Sequence, residues 1–234
     1  MKIISLISHG PKQSRADFQQ WFLREHSPDI LKNVFHLSHY IVNVNDVSPK
    51  MATAPIDSAP VPYDIVTEMW LADEGGSEST VELYNATTAP VIAESLDKSS
   101  ATFHSYLVSE VVEKDKQSFP LGQRAPGVNL VSAITWAEGR NNETGRQGWR
   151  KHGPLACRVH IGMTRYVQNY VELALTPQAP GYNGVALLYF PTQQDLEQRL
   201  YDTPQNAEVI AVDVKSFVNL EKIVTFYTTQ YSLK

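Results

Sequence analysis

FLREHSPDILKNVFHLSHY (Phe22–Tyr40) and WRKHGPLACRVHIGMTRY (Trp149–Tyr166) are two copies of one pattern, and recognising them as copies decides the fold. At an offset of 126 residues, Arg24, His26, Pro28, Tyr40 and Asn43 fall on Arg150, His152, Pro154, Tyr166 and Asn169 without a gap. Working outward, IISLIS (Ile3–Ser8) lies on LVSAIT (Leu130–Thr135) at an offset of 127. Tyr63–Val66 meets Tyr182–Val185 at 119, and Leu83–Asn85 meets Leu200–Asp202 at 117. A match that keeps its order over this length marks an internal duplication. Each copy reads strand, long helix, strand, strand, shorter helix, strand: the β-α-β-β-α-β order of a ferredoxin-like unit.

Local signals support the elements. Ser14 followed by Asp17 is a capping-box-like helix start, and Phe18, Trp21 and Phe22 recur at helical spacing to mark the face that packs on a sheet. Pro28 ends or kinks that helix, or else Ser27 caps and Pro28 opens a second short segment. HYIVNV (39–44) and DIVTEMWL (64–71) read as the next strands, separated by a long Pro/Ser/Ala-rich surface loop over residues 46–62. The expected division is a first repeat over 1–113 with the better-preserved site, a linker over 114–127, and a second repeat over 128–234 with a degenerate site. Each sheet carries helices on one face only, so its other apolar face must be covered, and the simplest cover is the other sheet. The predicted fold is α+β: two ferredoxin-like repeats packed sheet to sheet as an intrachain dimeric α+β barrel. The pseudo-dimer can be a monomer or pair further as a homodimer.

Composition narrows the function. The chain is 42% hydrophobic with a net charge of −5, which gives no basic footprint for nucleic acid. One cysteine, Cys157, rules out an intrachain disulfide and a cysteine zinc cage. No run approaches the apolar length of a membrane span, and a cytoplasmic protein with a small-molecule substrate is expected. No metal-ligand spacing, glycine-rich nucleotide loop or serine nucleophile elbow is present.

His26 lies four residues after Phe22 and eight after Phe18, so it points toward the sheet. It is read either as a packing histidine bonded to a backbone carbonyl or as an acid/base group. Glu68 alternates with Val66 and Trp70, and a carboxylate in that company is costly unless paired; the bland partner is an arginine such as Arg24. In the second copy Leu187 replaces Glu68 and Trp136 replaces His9. Asn43 and Asn169, disfavoured in strands, bond either to backbone or to substrate. Tyr40 and Tyr166 read first as core residues, and Tyr40 faces opposite to Asn43. His36, His104 and His160 stand in no pattern and read as surface or packing residues.

Phe22, Arg24, His26, Ser27, Pro28, Tyr40, Asn43, Tyr63, Asp64, Glu68 and Trp70, in that order and spacing, resemble the EthD family of the dimeric α+β barrel superfamily. The resemblance covers most of residues 2–112, with a weaker copy over about 128–230. It implies a cleft between sheet and helices, and activity without metal or organic cofactor on lactones, quinones or polyketide-like aromatics. On that reading His26 is the general acid or base, Glu68 orients it, and Asn43, Tyr40 or His9 hydrogen-bonds a developing enolate. Trp21, Phe22, Tyr63, Trp70 and His39 line the substrate, and His152, Tyr166 and Asn169 are the second-copy equivalents. The leading function is a cofactor-independent lyase or isomerase acting on a small cyclic or aromatic carbonyl compound. The alternatives are a non-catalytic small-molecule-binding or stress-associated barrel, a cofactor-free oxygenase, and a haem-binding member of the superfamily.

Overall fold

The computed structural model describes residues 1–51, 62–72 and 77–234. Residues 52–61 of the expected loop therefore lie outside the described residues. The first copy supplies β1 (Lys2–Ser8), α1 (Arg15–Trp21), α2 (Ser27–Asn33), β2 (Leu37–Val44), β3 (Ile65–Leu71), α3 (Ser77–Leu83), α4 (Ala89–Asp97) and β4 (Thr102–Asp115). The second supplies β5 (Val128–Ile134), α5 (Asn142–Val159), β6 (Arg165–Ala174), β7 (Gly184–Phe190), α6 (Gln193–Arg199), α7 (Pro204–Lys215) and β8 (Val224–Ser232). The predicted βαββαβ order thus holds in both.

The two sheets, β4-β1-β3-β2 and β8-β5-β7-β6, face each other and also join at both edges. β2 pairs with β8 and β4 with β6, all antiparallel, so the eight described strands close into a barrel. Closure removes the exposed strand edges that two separate sheets would carry. The duplication is visible in the register: Lys2 sits opposite Val108 as Asn129 sits opposite Thr228.

Three apolar clusters follow from this. Phe18, Phe22, Ile30, Tyr84, Ile92 and Leu96 pack the first helices on Ile3, Ile65 and Met69. Trp149, Ala156, Leu196 and Phe217 pack the second helices on Leu130, Ile134 and Leu188. Ile4, Leu6, Val66, Tyr106, Val131, Val167, Val185 and Phe226 fill the barrel interior. Neighbouring strand residues alternate between a helix-side cluster and the interior, as the two-residue repeat of a strand requires.

Ser14 caps α1 by accepting the Asp17 amide, as expected. The two prolines act differently. Ahead of Pro28 the helix widens into one π-helical turn over Phe22–His26, with the Ser27 N–H bonding the Phe22 carbonyl, before α2 continues. That turn relieves the clash of the proline ring with the carbonyl four residues earlier. Pro154 instead sits inside the unbroken 18-residue α5. Among the described residues no helix is long and apolar enough to cross a membrane.

Candidate active site

In the first copy the residues expected to act together are split by the sheet. Tyr40, Val42, Ile65 and Met69 belong to the helix-side cluster, so Asn43 and Glu68 alternate into the barrel interior. There Glu68, fully buried, pairs with Lys2 Nζ at 2.7 Å and accepts from Asn43 Nδ2 at 2.9 Å. The partner is thus Lys2, which also contacts Glu110 at 3.0 Å, rather than Arg24. Burial raises the Glu68 pKa, but the charges of Lys2 and Arg165 outweigh it and hold the carboxyl below its ordinary range. Asn129 extends the network by donating to Asn43 Oδ1 at 2.9 Å, so this cluster ties the two copies together.

His26 lies on the other side of the sheet. Its ring is 0% exposed, packed 4.3 Å from Phe22 and 5.6 Å from Trp21 between centroids, and its Nδ1 meets Ser95 Oγ at 2.8 Å. Nε2 has no hydrogen-bond partner among the described residues, and burial lowers the pKa to about 4. The expected contact of Glu68 with His26 therefore does not form. Tyr40 is buried on the His26 side. His9 is on the surface, where its Nδ1 meets Asp64 at 2.7 Å and Arg15 holds the same carboxylate at 2.6 Å. Tyr63 contacts the Tyr182 hydroxyl at 3.1 Å inside the barrel. Trp70 donates to Glu110 and stacks under Lys2, and exposed His39 lies edge-on to Trp70. Trp21 and Phe22 pack around His26 in the core. In the second copy Asn169 donates to the Val185 carbonyl at 2.9 Å. These residues form a core and an interior polar network rather than one cleft.

A cavity of about 510 Å³ opens between sheet and helices in the other copy, within the size range of small-molecule sites. Its floor includes Leu130, Ser132 and Leu188 from the strands; its walls include His152 and Trp149 of α5 and Ile210 and Val214 of α7. His152, the counterpart of His26, is 6% exposed, and its Nδ1 meets Asp213 Oδ2 at 2.7 Å. A carboxylate only accepts, so Nδ1 carries the proton and Nε2 keeps its lone pair. Burial lowers the His152 pKa and Asp213 opposes the shift, leaving the ring neutral at neutral pH.

Two changes account for the contrast between the copies. The residue that aligns with Phe22 at the His26/His152 offset is Gly148, and the nearby ring in the second copy is Phe217, 5.4 Å from His152. The helix that offers Ser95 to one histidine offers Asp213 to the other.

Tyr166 also lines the cavity. Its hydroxyl oxygen accepts from Trp149 Nε1 at 2.8 Å and from Gln168 Nε2 at 3.2 Å. With two donors on that oxygen, the hydroxyl proton is left to be donated elsewhere. Burial raises the Tyr166 pKa, which keeps that proton in place. His152 and Tyr166 thus line one largely apolar cavity. Asp213, between Val212 and Val214, carried no signal in the sequence, and His160, which also lines the cavity, belongs to no repeat and read there only as a surface or packing residue.

The cavity lining includes His152 and His160 but no lysine or arginine, so it offers no cationic partner for the two propionates of a haem. Among the described residues no three His, Cys, Asp or Glu side chains form a group that could hold a metal ion.

No family model matches the chain, and no curated protein matches it in sequence. Solved structures do match in shape. An anthrone oxidase-like protein superposes with a TM-score of 0.65 at 10% identity, covering 99% of this chain and 92% of that one. A candidate monooxygenase of Lactobacillus acidophilus NCFM superposes with a TM-score of 0.53 at 9% identity, covering 99% and 93%. At such identities the likeness shows the fold alone, an α+β barrel carried here within one chain.

Proposed function

We propose that the chain is a cofactor-independent oxygenase of enolisable aromatic ketones, with its site in the second copy. The observation that carries this reading is His152, hydrogen-bonded to Asp213 through Nδ1, on a 510 Å³ apolar cavity that Tyr166 shares. His152 Nε2 takes a proton from the carbon conjugated with the ketone, and Tyr166 donates to the oxygen that becomes anionic. The imidazolium so formed is stabilised by Asp213. The enolate carbon then reduces dioxygen: a C–O bond forms, His152 returns its proton to the peroxide, and loss of water leaves a second carbonyl. One oxygen atom ends in the product and one in water, so a CH₂ group and O₂ give C=O and H₂O with no outside reductant.

The same proton transfer starts a lyase or isomerase reaction, and only the fate of the enolate differs. Resemblance in fold to an anthrone oxidase-like protein and a candidate monooxygenase supports oxygenation. Descent from an EthD-like unit, duplicated as 1–113 and 128–234 around a 114–127 linker, belongs to this reading and rests on the shared motif order. The test is oxygen uptake with anthrone and related aryl ketones by the wild type and His152→Gln. Uptake matched by quinone formation and lost in the variant is the expected result. Isomerised or dehydrated product without uptake returns the chain to the lyase class; ligand binding without turnover makes it a carrier.

A further inference from the structure

His160 has no role in the proton transfer, yet it stands in the cavity wall while being 5% exposed overall. Its position is fixed twice: it closes the C-terminus of α5, its backbone N–H bonding the Ala156 carbonyl, and its Nδ1 lies 2.5 Å from the Leu200 carbonyl. A carbonyl oxygen has lone pairs only, so Nδ1 must be the protonated nitrogen. Nε2 is then a bare acceptor, and no hydrogen bond engages it among the described residues. The ring of Tyr201, 5.4 Å away between centroids, holds the imidazole from one side. Burial lowers the His160 pKa to about 4, so the ring stays an acceptor at neutral pH.

An acceptor on a cavity wall exchanges solvent for whatever donor a ligand brings there, and it loses a hydrogen bond when the ligand brings none. Of the other polar groups in the lining, His152 Nε2 is committed to the carbon acid, the Tyr166 proton to the ketone oxygen, and Ser132 Oγ and Thr225 Oγ1 to each other at 3.0 Å, while Glu208 is exposed to solvent. We propose that His160 is a specificity-determining residue whose Nε2 accepts from a free hydroxyl on the substrate, so that the cavity takes hydroxylated aromatic ketones and rejects their methyl ethers. The proposal rests on the assignment of the cavity as the substrate site. It does not depend on which reaction follows enolisation.

The experiment compares the binding of hydroxytetralones and the matching methoxytetralones, read without turnover by quenching of tryptophan fluorescence or by calorimetry. His160→Asn is the informative variant, because the Asn amide can still donate to the Leu200 carbonyl while the Nε2 acceptor is lost. The wild type should prefer the hydroxy compound by roughly tenfold, the share of one neutral hydrogen bond. His160→Asn should bind both alike, with the methoxy affinity little changed. His160→Gln, which places an amide oxygen farther out, should restore part of the preference. A hydroxyl preference that survives in a folded His160→Asn protein overturns the inference and leaves the role of His152 standing. Failure of the wild type to bind either ketone overturns the cavity assignment and this inference together.

Discussion

His26 and His152 occupy the same step of the duplicated chain, on the same long helix of their copies, and each is held through Nδ1 by the helix packed alongside. Beyond that their environments diverge. His26 meets a serine hydroxyl and is sealed by Phe22 and Trp21. His152 meets a carboxylate and borders a cavity. A hydroxyl stabilises a proton on the ring weakly, whereas a carboxylate at 2.7 Å stabilises an imidazolium as it forms. The lesson is that a motif preserved in sequence can mark the packed copy, while the copy that has lost motif residues keeps a cavity beside its histidine. In the interior the contrast runs the other way: Lys2 and Glu68 are charged, and their counterparts Asn129 and Leu187 are neutral.

The sharpest way to break this comparison is to remove each histidine in turn. His152→Gln should lower kcat on an aryl ketone by about 10²–10⁴, the usual contribution of a positioned general base, while His26→Gln should leave kcat within about twofold and lower thermal stability. Equal losses of kcat in the two variants would erase the distinction.

Next in size is the interior pair. Lys2→Met strands the fully buried Glu68 and should cost about 3–5 kcal/mol in denaturant unfolding. Lys2→Met combined with Glu68→Leu copies the apolar choice of the second copy at Leu187 and should recover most of that loss.

Acid should act on the sealed histidine. The His26 pKa is about 4 in the folded state against an ordinary 6.5. Above pH 6.5 neither state binds the proton, so nothing changes; between 6.5 and 4 the unfolded chain binds it and the folded chain does not. Stability is therefore lost as pH falls through that window, by about 3 kcal/mol for this group. His26→Gln should flatten that part of the pH profile.

The smallest effect sharpens the comparison at the partner. Asp213→Ser gives His152 the kind of partner His26 has, and should lower kcat by about tenfold through lost orientation and imidazolium stabilisation. Removing the carboxylate that raises the His152 pKa should also move the acid limb of the pH–rate profile further below 6.5. A limb that stays in place, or moves up, would mean Asp213 is not the group that sets it.

Much of the architecture was legible in the chain alone. IISLIS against LVSAIT, the two His-x-Pro helices and the strand motifs carried both copies and the order of their elements, because hydrophobic period and duplication are linear properties. The candidate site was legible only in part. His152, Tyr166 and the cleft between sheet and helices were named; Asp213 and His160 were not, and Glu68 was assigned to the wrong side of its sheet relative to His26. Alternation says which residues share a face, but which face meets the helices depends on how the whole strand packs. Edge-to-edge closure of the barrel had the same origin, since pairing of β2 with β8 and β4 with β6 joins residues far apart in the chain. Sequence thus set the repeat, the elements and two equivalent histidines. Tertiary packing chose between them, because a cavity is the volume left when side chains from several elements meet, and no single stretch of sequence contains that remainder.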